Sequence, residues 1–460
     1  MFILSVVAAW HAWRTEMLAL WRQQEAELAR DLDHLARRNR AMRERLEREH
    51  AAKTAPQIFA LIEETMSEIR GLPLKRPMAY RSTSRRMLRE EIAARMSAQY
   101  GDDALRDYQS ALVRMRLLPD GIHLSGMIVE LLSEQIAAFY DTESHELRVF
   151  EGLNLNRASE RMIVAHETIH ALQDQNFNLA ALALRHKGHD DLTLAAAALV
   201  EGDANYHMRV YQRARFRARN LLEDLGFLFS RQMGKLLSAP EFLRQTLLFP
   251  YQEGQKFVAA LYASGGVEAV NRAYAHPPQS TEQVLHPEKY LSGNDPPKPV
   301  AVDLAPGVGW RWLHENTVGE LGLRAFFTPL LGVERAARVA EGWGGDRYVV
   351  YDVRTPAGGW VLVWKTVWDT PADAHEFFDA MEADFRDRFG APETEKAATA
   401  KRASSAALFY SFASQKQALV LREDAVILMD APDSATLRGV MARAAGDPMP
   451  APAVGRKPPL

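Results

Sequence analysis

The sequence contains no cysteine. This absence excludes disulfide bonds, a thiol nucleophile and a cysteine-ligated metal, so any metal site must use histidine and carboxylate ligands. The sequence also lacks an excess of positive charge, because 56 lysines and arginines face 59 acidic residues. We therefore expect no nucleic-acid partner, since binding a phosphate backbone requires a basic surface.

Long apolar runs are missing as well. The longest, residues 2–10 and 192–200, are about nine residues each, whereas a helix that spans a bilayer needs about 20. We therefore predict no membrane span. Residues 2–10 also lack the basic start and the small-residue cleavage site of a secretory signal. The sequence as written predicts a soluble protein, and export or membrane anchoring is the alternative if the true start lies upstream.

What is present is typical of a folded globular protein, with 460 residues of which 47% are hydrophobic and 25% charged. Helical periodicity dominates, and short strand patterns appear at residues 138–150 and after residue 345. The predicted fold class is α+β, mostly α. Composition breaks predict an N-terminal long helix, a helical central domain with a small strand pair, a smaller C-terminal α+β domain and a tail, at residues 1–55, 56–298, 299–447 and 448–460.

Residues 18–46 carry an apolar residue at every seventh position, for example Trp21, Leu28 and Leu35. Such a stripe is typical of a helix that docks on its own domain, and we favour that interpretation. A short coiled coil is the alternative. It would give self-association through residues 18–46.

The sharpest motif is His166-Glu-Thr-Ile-His170, inside an uninterrupted helical pattern over residues 162–175. Two histidines four apart on a helix project from one face, one turn apart. They can therefore bind one Zn²⁺ through two nitrogens. Glu167 lies beside the pair, where it can take a proton from metal-activated water. The motif predicts one zinc ion per chain, with Glu167 as general base.

A catalytic zinc needs a third protein ligand, and a later helical pattern at residues 190–205 offers one. Glu201 ends a run of small and apolar residues, where a lone carboxylate is costly unless it is paired with a cation. We predict Glu201 as the third ligand and Asp203 as its main rival, with weaker rivals at His189 and His207. Asn205, one turn after Glu201, is predicted to hold the distal nitrogen of a ligand histidine.

If metal-activated water attacks a carbonyl group, the site also needs a donor for the oxyanion of the tetrahedral intermediate. The candidates are His286, Tyr206, His207 and Tyr290. We favour His286, because it lies in a polar segment that could fold over the cleft. The strand pair at residues 138–150 has two interpretations. It is either a hairpin that only caps the helix or, as a resemblance to the gluzincin metallopeptidases would imply, an edge that binds an extended substrate.

An HExxH helix followed by a glutamate on a second helix resembles the gluzincin metallopeptidases. More closely, the chain resembles a largely uncharacterised family of bacterial zinc metallopeptidases with a HELTHALQDQ-type helix and a later EG(D/E)A box. The matching blocks are HETIHALQDQ at 166–175, EGDA at 201–204, EQIAAFYD at 134–141, FPYQEG at 249–254 and STEQVLHP at 280–287. Thr168 stands where many members have leucine, but this position is not a ligand.

The resemblance covers residues 55–300, with a weaker echo at 342–351. It implies a zincin-like metallopeptidase fold and a zinc-dependent hydrolase that cleaves peptide bonds. The partner it implies is a protein or peptide substrate of unknown identity. It also implies export for many members. Two alternatives stay open, namely a non-catalytic zincin-like scaffold that binds a partner and a zinc hydrolase of a non-peptide substrate.

Overall fold

The architecture comes from a computed structural model. It describes residues 48, 54–135, 138–182, 188–215, 236, 238–293, 295–354, 358–392, 394–397, 405–412 and 415–444. The predictions of a coiled coil at residues 18–46 and of a tail at 448–460 lie outside the described residues. Within the described ranges, no helix is both long enough and apolar enough to cross a bilayer.

The chain forms two compact units, and each unit combines three separate stretches of sequence. The described residues of 1–82, 137–176 and 204–231 form the first unit. Those of 83–136, 177–203 and 232–460 form the second. One helix, α6, contributes to both, because the division falls between Asp203 and Ala204. The predicted domain boundaries, which were continuous in sequence, stay a prediction.

The described residues of the first unit form two helices, three strands and the end of α6. Their bounds are α1 Ala55–Arg70, β1 Ala79–Thr83, β2 Ala138–Asp141, β3 Glu146–Phe150, α5 Ala158–Phe177 and α6 Asp190–Arg215. The strands form one sheet in the order β1-β3-β2, so β2 is an edge strand. β2 and β3 are antiparallel, with Tyr140 opposite Leu147. The strand pair predicted at residues 138–150 is therefore confirmed.

Helix α5 carries the HExxH motif, and its sequence explains both its length and its two faces. No glycine or proline interrupts the 20 residues. Val164, Ala165, Ile169 and Leu172 are fully buried, and their spacing of one, three and four residues follows the helical period. His166, Glu167 and His170 are only half-buried. The apolar residues thus anchor the helix, while the polar motif keeps partial access to solvent.

The second unit contains the remaining helices and a large sheet. Its helices are α2 Arg85–Tyr100, α3 Asp102–Arg114, α4 Leu124–Gln135, α7 Glu241–Ala275, α8 Thr281–Leu285, α9 Pro287–Ser292, α10 Gly319–Leu331, α11 Val333–Ala340, α12 Pro371–Phe389 and α13 Ser434–Ala444. Helix α7 is kinked at Gly265 and Gly266, where the backbone leaves the helical region. The positive φ of Gly266 is a conformation that glycine adopts without steric strain.

The large sheet has seven strands in the order β4-β5-β6-β10-β9-β8-β7, and every neighbouring pair is antiparallel. Their bounds are β4 Trp310–Asn316, β5 Trp343–Val353, β6 Trp360–Trp368, β7 Thr394–Ala397, β8 Ser405–Phe412, β9 Gln415–Arg422 and β10 Ala425–Ala431. Along β6, Trp364 and Val363 belong to different apolar clusters, one with α12 and the other with α13. The alternation shows that both faces of the sheet are covered.

Four tryptophans of this sheet, in β5 and β6, pack in or against its core. Trp343, Trp364 and Trp368 are at most 2% exposed, and Trp360 packs partly buried against the same cluster. The indole nitrogens of Trp343 and Trp364 both donate to the buried carboxylate of Asp346. The predicted α+β class is confirmed.

Candidate metal centre

His166 and His170 present their rings to each other on the half-buried face of α5. The two Nε2 atoms are 3.1 Å apart, and the rings meet edge to face. Two nitrogens that each lie 2.0–2.1 Å from a tetrahedral zinc are about 3.3 Å apart. The observed separation is close to that value. The helix spacing therefore brings the two Nε2 atoms to about the separation that a shared cation requires.

Glu201 completes the group. His166, His170 and Glu201 each offer one ligand atom, and these atoms all lie within 4.8 Å of one another. Two imidazoles and one carboxylate form a donor set that suits zinc and leaves a fourth position open. Among the described residues, this is the group that combines histidine with carboxylate. The residues present therefore fit the zinc ion that the motif implies.

Gln173 fixes the orientation of His170. Its Oε1 lies 2.8 Å from His170 Nδ1, and Gln173 is fully buried. An amide oxygen only accepts, so Nδ1 carries the proton and Nε2 keeps its lone pair for a cation. Such outer contacts commonly fix the tautomer of ligand histidines. Sequence reasoning missed this role, although the spacing of three residues from His170 on the same helix was a usable signal.

Glu167, the predicted general base, is held by the edge strand of the small sheet. Its Oε2 accepts a hydrogen bond of 2.8 Å from the backbone N–H of Tyr140 in β2. The hydroxyl of the same tyrosine donates to Asp174, also on α5, over 3.0 Å. Tyr140 thus contacts α5 at two points. The sequence did not predict this contact.

The helix that carries Glu201 approaches α7 closely at two glycines. A Cβ atom on Gly202 would lie 2.2 Å from the backbone carbonyl of Gly254, and one on Gly254 would lie 2.2 Å from the carbonyl oxygen of Ala198. Only glycine permits this approach. The glycines of the EGDA and FPYQEG blocks therefore have a packing role beside Glu201.

Asp203, the rival third ligand, points elsewhere. It is fully buried, and its Oδ2 accepts a hydrogen bond of 2.7 Å from the hydroxyl of Tyr274. Asp203 is not a member of the metal-ligand group. Asn205 is half-buried, one turn after Glu201 on α6, and its predicted support of a ligand histidine stays a prediction. His189, the weaker rival, is exposed just before α6.

The predicted oxyanion donors are distributed over both units. Tyr206 and His207 are nearly fully buried in α6, where their rings meet edge to face. In the second unit, His286 Nε2 lies 3.1 Å from Glu320, a fully buried carboxylate whose hydrogen bond raises the pKa of His286. Tyr290 donates to the carbonyl of His276. The role of His286 in catalysis stays a prediction.

A cluster of three acidic side chains in the second unit surrounds the ammonium group of a lysine. Glu282, Asp295 and Asp369 form it, and the Nζ of Lys289 lies 2.7 to 2.9 Å from a carboxylate oxygen of each. These ion pairs raise the pKa of Lys289, although burial alone would lower it. The ammonium group therefore already lies among these carboxylates, where a metal cation would otherwise bind.

Comparison with known proteins gives one match. A family model described as "Domain of unknown function (DUF8575)" matches residues 311–441. The matched stretch begins in β4 and ends in α13, so it covers the seven-stranded sheet and not the HExxH helix. No curated protein and no solved structure matches the chain. The match is to less than half of the chain and carries no stated activity.

Proposed function

We propose that this chain is a zinc-dependent metallopeptidase of the gluzincin type. His166, His170 and Glu201 hold the zinc ion, and Glu167 is the general base. The observation that carries the proposal is the group of three ligand atoms within 4.8 Å, beside a glutamate that a scaffold would not need. The separation of 3.1 Å between the two Nε2 atoms supports the same ligand set.

The chemistry of the site follows from its donors. Zinc bound there supplies Lewis acidity, which lowers the pKa of water and polarises a carbonyl group. Glu167 accepts a proton from the attacking water while the water oxygen bonds to the carbonyl carbon. The carbon–nitrogen bond then breaks, and Glu167 passes the proton to the leaving amine. Gln173 keeps His170 in the tautomer that can bind the metal.

The variant Glu167→Gln tests this function. It keeps the size and most contacts of the side chain but removes the base. We expect zinc to stay bound and hydrolysis of fluorescein-labelled casein and of a quenched peptide library to fall by about 10²- to 10⁴-fold, the usual contribution of a general base. Glu160→Gln, on the same helix, is the matched control and should retain activity.

Three results would contradict the proposed mechanism, the proposed substrate or catalysis itself. Full activity in Glu167→Gln would contradict the assigned mechanism. Zinc binding without any hydrolysis of peptides would favour a hydrolase of another substrate, and a screen of ester and amide substrates would then follow. If neither the wild-type protein nor Glu167→Gln hydrolysed any substrate in these screens, a binding scaffold would become the favoured interpretation.

A further inference from the structure

The hairpin of β2 and β3 is attached to α5 by a cluster that we call the Asp174 clasp. The carboxylate of Asp174 is 5% exposed. Its Oδ2 accepts from the Tyr140 hydroxyl over 3.0 Å, lies 2.9 Å from His145 Nδ1, and is 4.0 Å from a guanidinium nitrogen of Arg76. One buried carboxylate thus binds both the strand and the turn of the hairpin.

The clasp and the general base lie on the same face of α5. Asp174 follows Glu167 by seven residues, which is two helical turns and about 10 Å along the axis. Tyr140 alone contacts both residues, because its backbone N–H donates to Glu167 and its hydroxyl donates to Asp174. The position of the N–H is therefore tied to the position of the hydroxyl.

The hairpin turn is itself braced. The buried carboxylate of Asp141 accepts from the backbone N–H of Glu143, from the Ser144 hydroxyl and from the Arg148 guanidinium over 2.8 to 3.1 Å. His145 completes the turn with a positive φ of 57°, a conformation that few side chains adopt. A turn held from inside keeps its shape, so the clasp positions the whole hairpin.

We propose that the Asp174 clasp is a positioning device for Glu167: it fixes Tyr140 so that the backbone N–H of Tyr140 holds the Glu167 carboxylate in its working orientation. This rests on the proposed function, in which Glu167 is the base. A backbone N–H is suited to this role because it stays a neutral donor near neutral pH and, unlike a side chain, has no rotamers of its own. Tyr140 and Asp174 act through Glu167 and need not touch the substrate.

The protonation of the Tyr140 hydroxyl favours a lasting hydrogen bond to Asp174. Burial, and the negative charge of Asp174 beside it, raise the pKa of Tyr140. The hydroxyl therefore stays protonated and continues to donate at any pH at which the protein would work. Reactions that depend on an oriented base lose much of their rate when that group shifts by about 1 Å. The clasp should thus affect kcat more than KM.

The test uses Tyr140→Phe, which removes only the hydroxyl and keeps the ring and the backbone N–H. In the full-length protein, we expect the amide of residue 140 to exchange hydrogen about five- to tenfold faster, as loss of one hydrogen bond predicts. Mass spectrometry with single-residue fragmentation measures this. We expect kcat to fall about 10- to 100-fold, with KM and zinc content unchanged.

Two comparisons separate positioning from simple stability. Tyr80→Phe is the matched control, because Tyr80 belongs to the same sheet but stacks on Phe59; exchange at residue 140 and kcat should not change. In a Glu167→Gln background, Tyr140→Phe should have no further effect on residual turnover, since the clasp acts through the missing base.

The results that would refute the positioning role differ from the result that would refute the proposed function. A melting temperature that falls while exchange at residue 140 or kcat stays within twofold of wild type would overturn the positioning role. An undiminished effect in the Glu167→Gln background would overturn it as well. If the zinc-loaded protein hydrolysed no peptide at all, the proposed function would fail, and the exchange rates would still decide whether the clasp holds Glu167.

Discussion

The chemistry of the candidate site depends on individual side chains that restrict one another. Gln173 fixes the proton of His170 on Nδ1, and Tyr140 holds Glu167 through a backbone N–H. Neither residue offers an atom to the metal-ligand group. In the proposed site, both contacts would orient the proposed ligand His170 and the proposed base Glu167, as residues around metal ligands commonly do.

The variant Gln173→Leu should weaken zinc binding. The variant removes the acceptor for His170 Nδ1 and frees the ring to adopt the wrong tautomer. We expect the dissociation constant for zinc to rise about 10- to 100-fold, measured by competition with a chelator. Gln175→Leu on the same helix, where Gln175 binds the backbone of Arg76, is the control. Unchanged zinc affinity in Gln173→Leu would contradict this role.

The sequence predicts the residues of the motif better than their neighbours. His166, Glu167 and His170 follow from a helical spacing that is local. Glu201 follows from a carboxylate on an otherwise apolar run. The contact of Tyr140 depends on where a hairpin 27 residues away packs against the helix, and no local pattern encodes that.

Among the elements, the crossing of α6 and α7 is the tightest feature near the site. Gly202 and Gly254 let the two backbones meet where no Cβ atom would fit. Glu201 is the neighbour of Gly202, so the crossing sets the position of that helix segment. Glycine at these two positions therefore allows the helix that carries the candidate ligand Glu201 to pack closely against α7.

Gly202→Ala should therefore disturb both packing and metal binding. The added methyl would overlap the backbone of Gly254, and overpacking of this kind costs about 1–3 kcal/mol or more. Chemical denaturation should show the loss, together with weaker zinc binding. Gly439→Ala in α13 is the control, since its nearest neighbour is a flexible arginine end 3.7 Å away, and it should stabilise slightly. Equal behaviour of the two variants would refute the argument.

Elements with strong periodicity were predicted well, whereas three of the four edge strands of the two described sheets were not, the exception being β2. β5, β6 and β10 have the alternation and β-branched content of core strands, and most of their residues lie after residue 345, where the sequence shows strand patterns. β1, β4 and β7 are edge strands that the sequence analysis missed. An edge strand buries less of its surface, so its sequence carries less of the apolar alternation that reveals a strand.

Across the whole molecule, the division into two units does not follow the order of the sequence. Each unit collects three separate stretches, whereas breaks in composition can only suggest continuous domains. Long-range contacts decide such a division, and a single sequence does not display them. The HExxH helix belongs to the first unit, and the stretch of the family match belongs to the second.

The stability of the second unit should depend on pH through buried carboxyl groups. Burial raises the pKa of Asp191 to about 7 and that of Glu282 to about 8. The folded state thus binds these protons more tightly than the unfolded state, so stability is greatest at low pH and falls as pH rises from about 4 to about 8. The melting temperature should be lower at pH 8.5 than at pH 5.5.

Asp191→Asn identifies the source of this effect. Asparagine can still accept from Thr281, the hydrogen-bond partner of Asp191, but it carries no titrating proton. The difference in melting temperature between the two pH values should shrink. Asp303→Asn, at an exposed position in the same unit, should leave the difference as it is. A dependence on pH that is unaltered in Asp191→Asn would remove Asp191 from the explanation.

The central claim is that His166, His170 and Glu201 hold one zinc ion, and metal content per chain tests it most directly. The protein would be purified without added metal, supplied with zinc at neutral pH, freed of excess zinc and measured by inductively coupled plasma mass spectrometry. We predict about one zinc per chain in the wild type and in Glu167→Gln, and none in His166→Ala. No bound zinc in the wild type, or one zinc that persists in His166→Ala, would contradict the claim.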